Sequence, residues 1–150
     1  MDQERQFRRL TISDLPLILK MNDSFRSGLI NEENTKQFLL NPMNWFFACI
    51  HGDQIIGFAQ GYELNRLDER GNMMYVHEIG VLPQYQRQGI GFQMLSALKD
   101  MCKAKCLCKF FLFTQKTNTA ACRLYEKAGG KKMIDTDNGD VDIGYFFNEF

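Results

Sequence analysis

Apolar and polar positions along the 150-residue chain change period repeatedly, and each change predicts an element boundary. Residues 7–10 predict a short first strand. Ser13 then caps a helix that carries Leu15, Ile18, Leu19, Asn22 and Phe25 at helical spacing, with Pro16 near its start, where proline is tolerated. A second helix is expected from Asn31 through Phe38 and Leu39, stopping before Asn41-Pro42 because proline disfavours helix in the residue preceding it. Residues 45–50 and 55–64 are β-rich runs separated by His51-Gly52-Asp53-Gln54, which suits a hairpin. Residues 65–72 are polar and predict a loop that borders a substrate, followed by a strand over 73–81.

Beyond the glycines at 89 and 91, Ile90, Met94, Leu95, Leu98 and Cys102 recur on one helical face, which predicts a helix packed on the sheet. Phe110-Phe111-Leu112-Phe113, within residues 109–114, is a continuous apolar run of the kind expected for a central strand buried on both faces. A further helix over 119–128 ends at Gly129-Gly130, and strands are expected at 131–134 and 141–147 around Asp137-Asn138-Gly139. The predicted order is β-α-α-β-β-β-α-β-α-β-β. It implies an α/β layered domain over residues 1–150, with one mixed sheet covered by helices.

Composition narrows the function. Hydrophobic residues make up 45% of the chain, including 13 Phe, which suffices for one sizeable core. Eighteen Lys and Arg balance eighteen Asp and Glu, so no global field draws the chain to nucleic acid or to an anionic membrane. No apolar run approaches the ~20 residues of a bilayer span, and the charged start Met1-Asp2-Gln3-Glu4-Arg5 has no signal core, which makes cytoplasm the expected location. Cys102, Cys106 and Cys108 are crowded, but without a CxxC and with both histidines remote they predict reduced, packed thiols and no metal site.

Chemistry concentrates in two segments. Gln86-Arg87-Gln88-Gly89-Ile90-Gly91 lies between an apolar strand with Pro83 and an amphipathic helix, where glycines let successive N–H groups and the positive helix end hold a pyrophosphate, with Arg87 adding charge. The second segment, residues 118–129, is a helix with a polar start at Asn118 and a glycine stop at Gly129. Ile79-Gly80-Val81-Leu82-Pro83 followed by Gln86-x-x-Gly89-x-Gly91 resembles the acetyl-CoA signature of the GNAT superfamily of N-acetyltransferases. Asn118, Leu124-Tyr125 and Gly129 resemble its second signature. The likeness follows element order over residues 7–147, with its diagnostic residues between Tyr75 and Gly129.

The resemblance implies acetyl-CoA as cosubstrate and a mostly antiparallel central sheet, in which the strand over 73–81 splays from the next. Backbone groups of Ile79, Gly80 and Val81 are then expected to bond the pantetheine arm. The turn of Arg87, Gln88, Gly89, Ile90, Gly91 and Phe92 is expected to hold the pyrophosphate, and Asn118 to lie near the arm as well as capping its helix. Tyr125 takes the family role of general acid toward the coenzyme sulfur, its ordinary pKa of ~10 lying near a thiol's ~8.5. A base is also needed, because an attacking ammonium has no lone pair. Glu78 is the candidate, with His77 and Glu63 as alternatives. Strand alternation puts His77 and Glu78 on opposite faces unless a bulge resets the phase.

The runs at 62–69, 75–79 and 85–90 look most like gentamicin-type aminoglycoside N-acetyltransferases, in which an acidic residue occupies the position of Glu78. The tail adds Asp135, Asp137, Asp140, Asp142 and Glu149 with no Lys or Arg from 134 to 150, a stretch suited either to attracting a polycation or to a solvated hairpin. The leading expectation is a small-molecule amine acceptor such as an aminoglycoside or polyamine. Protein N-terminal or lysine acetylation and a non-catalytic acyl-CoA module are the alternatives. GNAT relatives are often dimers, which makes a homodimer an expectation.

Overall fold

The computed structural model describes residues 4–21, 29–133 and 141–150. Strand β1 (Arg5–Arg9) leads through a 3₁₀ turn (Ile12–Asp14) into the short helix α1 (Leu15–Leu19), followed by α2 (Glu32–Leu40). Strands β2 (Asn44–His51), β3 (Gln54–Leu64) and β4 (Met73–Val81) come next, then α3 (Ile90–Ala104), β5 (Lys109–Gln115), α4 (Thr119–Lys127), β6 (Lys131–Lys132) and β7 (Asp142–Phe147). The sheet has seven strands in the order β1-β2-β3-β4-β5-β7-β6, antiparallel except where β4 meets β5. This is the element order and the mixed sheet that the sequence predicts. Among the described residues, no helix is long and apolar enough to cross a membrane.

Two helical layers cover different parts of the sheet. The apolar stripe of α3 buries Ile90, Met94, Leu95, Leu98 and Cys102, and a Cβ on Gly57 of β3 would meet Met94 and Ile90, which fixes the face that α3 covers. On the other face, Ile18 and Met21 by α1 and Phe38 of α2 line, with Phe46 and Gln60 of the sheet, an open cavity of about 240 Å³. Asn31 caps α2 through Oδ1, which accepts the Asn34 N–H at 2.9 Å. The first helix is shorter than its pattern implies: α1 ends at Leu19, and Asn22 and Phe25 lie outside the described residues. So do Ile134 and the turn at 137–139.

Ser13 does not cap α1: Asp14 stands at the N-cap without a side-chain bond into the helix, and its carboxylate closes the 3₁₀ turn before it. Asp14 Oδ2 accepts the Thr11 N–H at 2.8 Å, and both carboxylate oxygens accept from the Arg8 guanidinium, at 2.8 and 3.0 Å. The hydrogen bond from Arg8 is the main reason that the Asp14 carboxyl sits below its ordinary value. A carboxyl depressed in the folded state contributes stability that is present above the ordinary carboxylate range of ~3.9 and is lost as pH falls through the folded value. Asp14→Ala is therefore expected to cost about 1–2 kcal/mol at neutral pH and much less at strongly acidic pH, as denaturant melts at the two pH values can check.

Two expectations need correction. Strand β5 is buried on one face only: Phe110 and Leu112 are buried, Phe111 is half-buried and Phe113 is 51% exposed. The helices α1 and α2 cover β2 and β3, so the second apolar row of β5 is only partly covered. The crowded cysteines do not share one packed environment either. Cys102 is buried in α3, where burial pushes its thiol up to about 12, while Cys106 is exposed.

Candidate active site

The sheet opens where β4 and β5 part. Met73, Met74 and Tyr75 pair with Lys109, Phe110 and Phe111, and the pairing stops there. On its other edge β4 continues, with Ile79, Gly80 and Val81 opposite Ala59, Phe58 and Gly57. The backbone of residues 79–81 therefore borders a gap on the β5 side, where strand-type hydrogen bonds are available to an extended ligand.

A bulge at His77 changes which side chains reach this gap. Gln60 pairs with Glu78 but Gly61 pairs with Val76, so His77 is the extra residue on β4. Below the bulge, Tyr62 and Tyr75 face the side of α2, since Phe38 packs edge-on against Tyr62 at 5.9 Å. The His77 ring lies 6.0 Å from Tyr62 and 5.8 Å from Tyr75, on the same side. Glu78 shares that side through its pairing with Gln60, which lines the cavity under α1 and α2. The bulge thus removes the expected opposition of His77 and Glu78. It depends on Gly61, where a Cβ would lie 2.8 Å from the Tyr75 carbonyl oxygen. Nothing in the local pattern singled out that glycine.

Glu63 does not join them. Its Oε1 accepts the indole N–H of buried Trp45 at 3.2 Å and its Oε2 accepts from the Asn72 amide at 2.9 Å. It sits opposite buried Met74, with the Arg9 guanidinium 4.1 Å from the Trp45 ring beside it. Its carboxylate is committed to the core.

After a 3₁₀ turn (Pro83–Tyr85), Gln86 donates to the Val81 carbonyl at 3.1 Å and the chain passes through two left-handed residues, Arg87 at φ 64° and Gly89 at φ 79°. A positive φ at a non-glycine residue such as Arg87 is uncommon. Alternation of this kind turns successive N–H groups toward one point, here at the N-terminus of the 15-residue α3. A Cβ at Gly89 would meet nothing within 4 Å, so open space lies before the turn. Arg5 of β1 donates to the Gln88 side chain, bringing a second guanidinium to the turn that no local motif foretold.

The second motif meets the first at close range. A Cβ on Gly91 would lie 2.9 Å from Leu124 Cδ2, and Lys127 Nζ stands 5.2 Å from the centre of the Phe92 ring. Asn118 caps α4, its Oδ1 accepting the Ala121 N–H at 3.1 Å. Tyr125 is buried on α4 and packs edge-on against Tyr145 at 5.6 Å. Burial pushes its hydroxyl up to about 12, above the ~10 of an unperturbed phenol. Glu78 and Tyr125 therefore belong to opposite sides of the sheet, with the gap between β4 and β5 joining the two.

Known proteins share this architecture. Residues 15–130 match the model of the Acetyltransferase (GNAT) family. The chain is 31% identical over 96 residues to the N-alpha-acetyltransferase RimI of Mycobacterium tuberculosis, a match covering 63% of this chain and 57% of that protein's length. An aminoglycoside acetyltransferase from an uncultured soil metagenomic sample, solved with sisomicin, superposes with a TM-score of 0.76 at 18% identity, over 91% of this chain and 95% of its own. The PaiA N-acetyltransferase of Thermoplasma acidophilum, solved with coenzyme A, superposes with a TM-score of 0.72 at 17% identity, over 97% and 99%. The family match covers most of the chain and includes the gap, the left-handed turn and all of α4 with its glycine stop, and the chain belongs to the acetyltransferase (GNAT) family.

Proposed function

We propose that this chain moves an acetyl group from acetyl-CoA to a primary amine of a small cationic molecule, with an aminoglycoside as the first acceptor to test. The observation that carries this reading is the bulge at His77, which turns Glu78 toward the open side of the gap while Tyr125 stands on the other. The residues present suit the coenzyme: the space before Gly89 is open, and the N–H groups of the left-handed turn lie at a long helix's positive end.

Arg87, Gln88, Gly89, Ile90, Gly91 and Phe92 then hold the pyrophosphate, and the backbone of Ile79, Gly80 and Val81 holds the pantetheine arm, with Asn118 near it. Acetyl-CoA supplies the acyl group as a thioester. The Glu78 carboxylate takes a proton from the bound ammonium, directly or through water, so that the amine gains its lone pair. Tyr125 Oη keeps its proton at neutral pH and offers it toward the departing sulfur.

Glu78→Gln is expected to lower turnover about tenfold at pH 7. The loss should shrink as pH approaches the ~10.4 of an alkyl ammonium, where the amine sheds its proton unaided. A loss that stays constant from pH 7 to 10 removes Glu78 as the base. Free-thiol release from acetyl-CoA with aminoglycosides, polyamines and short peptides tests the acceptor. The likeness to RimI favours a second reading, acetylation of a protein N-terminus. Turnover on peptides alone would select it.

A further inference from the structure

The open side of the sheet carries a row of aromatic rings that the coenzyme and the two candidate catalytic groups do not use. It starts at the bulge with Tyr62 and His77 and continues through Tyr75 to Phe111 and Phe113 on β5. Neighbouring centroids are 5.3 to 6.1 Å apart along this path. The last rings form a corner: Tyr75 and Phe111 are close to parallel, at 18°, while Phe113 is tilted from them by 67° and 84°. Phe113 is 51% exposed, and His77 is exposed beside Glu78.

We propose that this corner is an acceptor subsite that seats a flat apolar ring, so that the preferred acceptor is a primary amine joined to an aromatic ring by a short spacer. The inference rests on the acetyl-transfer reading above and narrows its acceptor. Continuity supports it, because the row begins at the residue beside the candidate base. Scale supports it too: from the His77 ring to the Tyr75 ring is 5.8 Å, which a spacer of ~2–3 carbons with bonds of ~1.5 Å can bridge. A ring lying in the corner meets one aromatic face and one near-perpendicular ring, the offset and edge-to-face arrangements that aromatic groups favour. Its ammonium then lies toward the faces of Tyr62 and His77 and the Glu78 carboxylate, where π-electron density and negative charge both favour a cation. A corner one ring wide is also smaller than the ~800 Å² per partner that a stable interface between two protein chains uses.

The test compares 2-phenylethylamine with propylamine and with an aminoglycoside, in acetyl-transfer kinetics and in calorimetric binding to the protein loaded with coenzyme A. We expect kcat/KM for 2-phenylethylamine to exceed that for propylamine at least tenfold. Phe113→Ala should erase that ratio through KM, and Phe113→Tyr, which keeps the ring, should retain it. Equal effects of Phe113→Ala on all the amines, or a preference for the ring-free amines, would overturn the subsite. A dimer that Phe113→Ala converts to monomer, with the ratio unaltered, overturns it as well by assigning the corner to a second copy of the chain. Binding separates this inference from the reading beneath it. Ring-dependent binding lost in Phe113→Ala, without turnover on any amine, upholds the subsite and defeats the transfer reading; turnover indifferent to the ring does the reverse.

Discussion

Replacing Gly89 by valine is expected to weaken coenzyme A binding at least about a hundredfold, roughly 2.8 kcal/mol. Two effects act together. Gly89 has φ 79°, a region that a β-branched residue enters only under strain, and holding a non-glycine residue in an unfavourable region costs on the order of 1–3 kcal/mol. The turn then either keeps its shape with the valine side chain projecting into the open space before it or relaxes and loses its convergent N–H groups. Either outcome removes the cradle. Calorimetry with coenzyme A, beside a thermal melt to verify folding, checks the prediction; ordinary affinity in a folded variant would contradict the cradle.

Tyr125→Phe is expected to lower turnover by at least about tenfold and up to a hundredfold while leaving coenzyme affinity within about twofold, because it deletes only a proton donor. Its pH dependence carries a further sign. Burial raises the Tyr125 hydroxyl to about 12, so the proton is present throughout the range in which such assays run, and the loss should be independent of pH up to about 10. Glu78→Gln behaves oppositely, its penalty fading as pH rises. The raised value also changes the chemistry from that of an unperturbed phenol: a group at about 12 is a weaker acid than a thiol near ~8.5, so in the proposed role it would assist by hydrogen-bonding the developing negative charge before any complete transfer. Unchanged turnover in Tyr125→Phe would remove this role.

Much of this arrangement was legible in the chain because its causes are local. The stripe of α3 repeats at helical spacing, the Gly52-Asp53 hairpin and the Asn31 cap are short-range, and the glycines near Arg87 are read where they stand. What escaped depends on partners distant in sequence. The apolar run of β5 has the composition of a strand covered on both sides, yet the length of α2 and the strands under it decide that Phe113 stays exposed and Phe111 only half-buried. Strand alternation separates His77 from Glu78, and only the pairing of β3 with β4 reveals the extra residue that reunites them. Glu63 carries the same functional group as Glu78; the indole of Trp45, 18 residues earlier, takes it out of contention. Arg5 approaches the left-handed turn from 83 positions away.

The contact between Trp45 and Glu63 also gives the protein a convenient optical property. Trp45 is the chain's one tryptophan, it is 1% exposed, and its N–H is bound to a carboxylate beside the Arg9 guanidinium. Indole fluorescence therefore reports on a single, water-shielded ring set between β1 and β3 and away from the gap. Its emission should be blue-shifted in the native protein and move to the red in one step on denaturation. Additions of coenzyme or amine should leave it nearly still, so the same signal can measure folding stability for every variant above without being confounded by ligand occupancy.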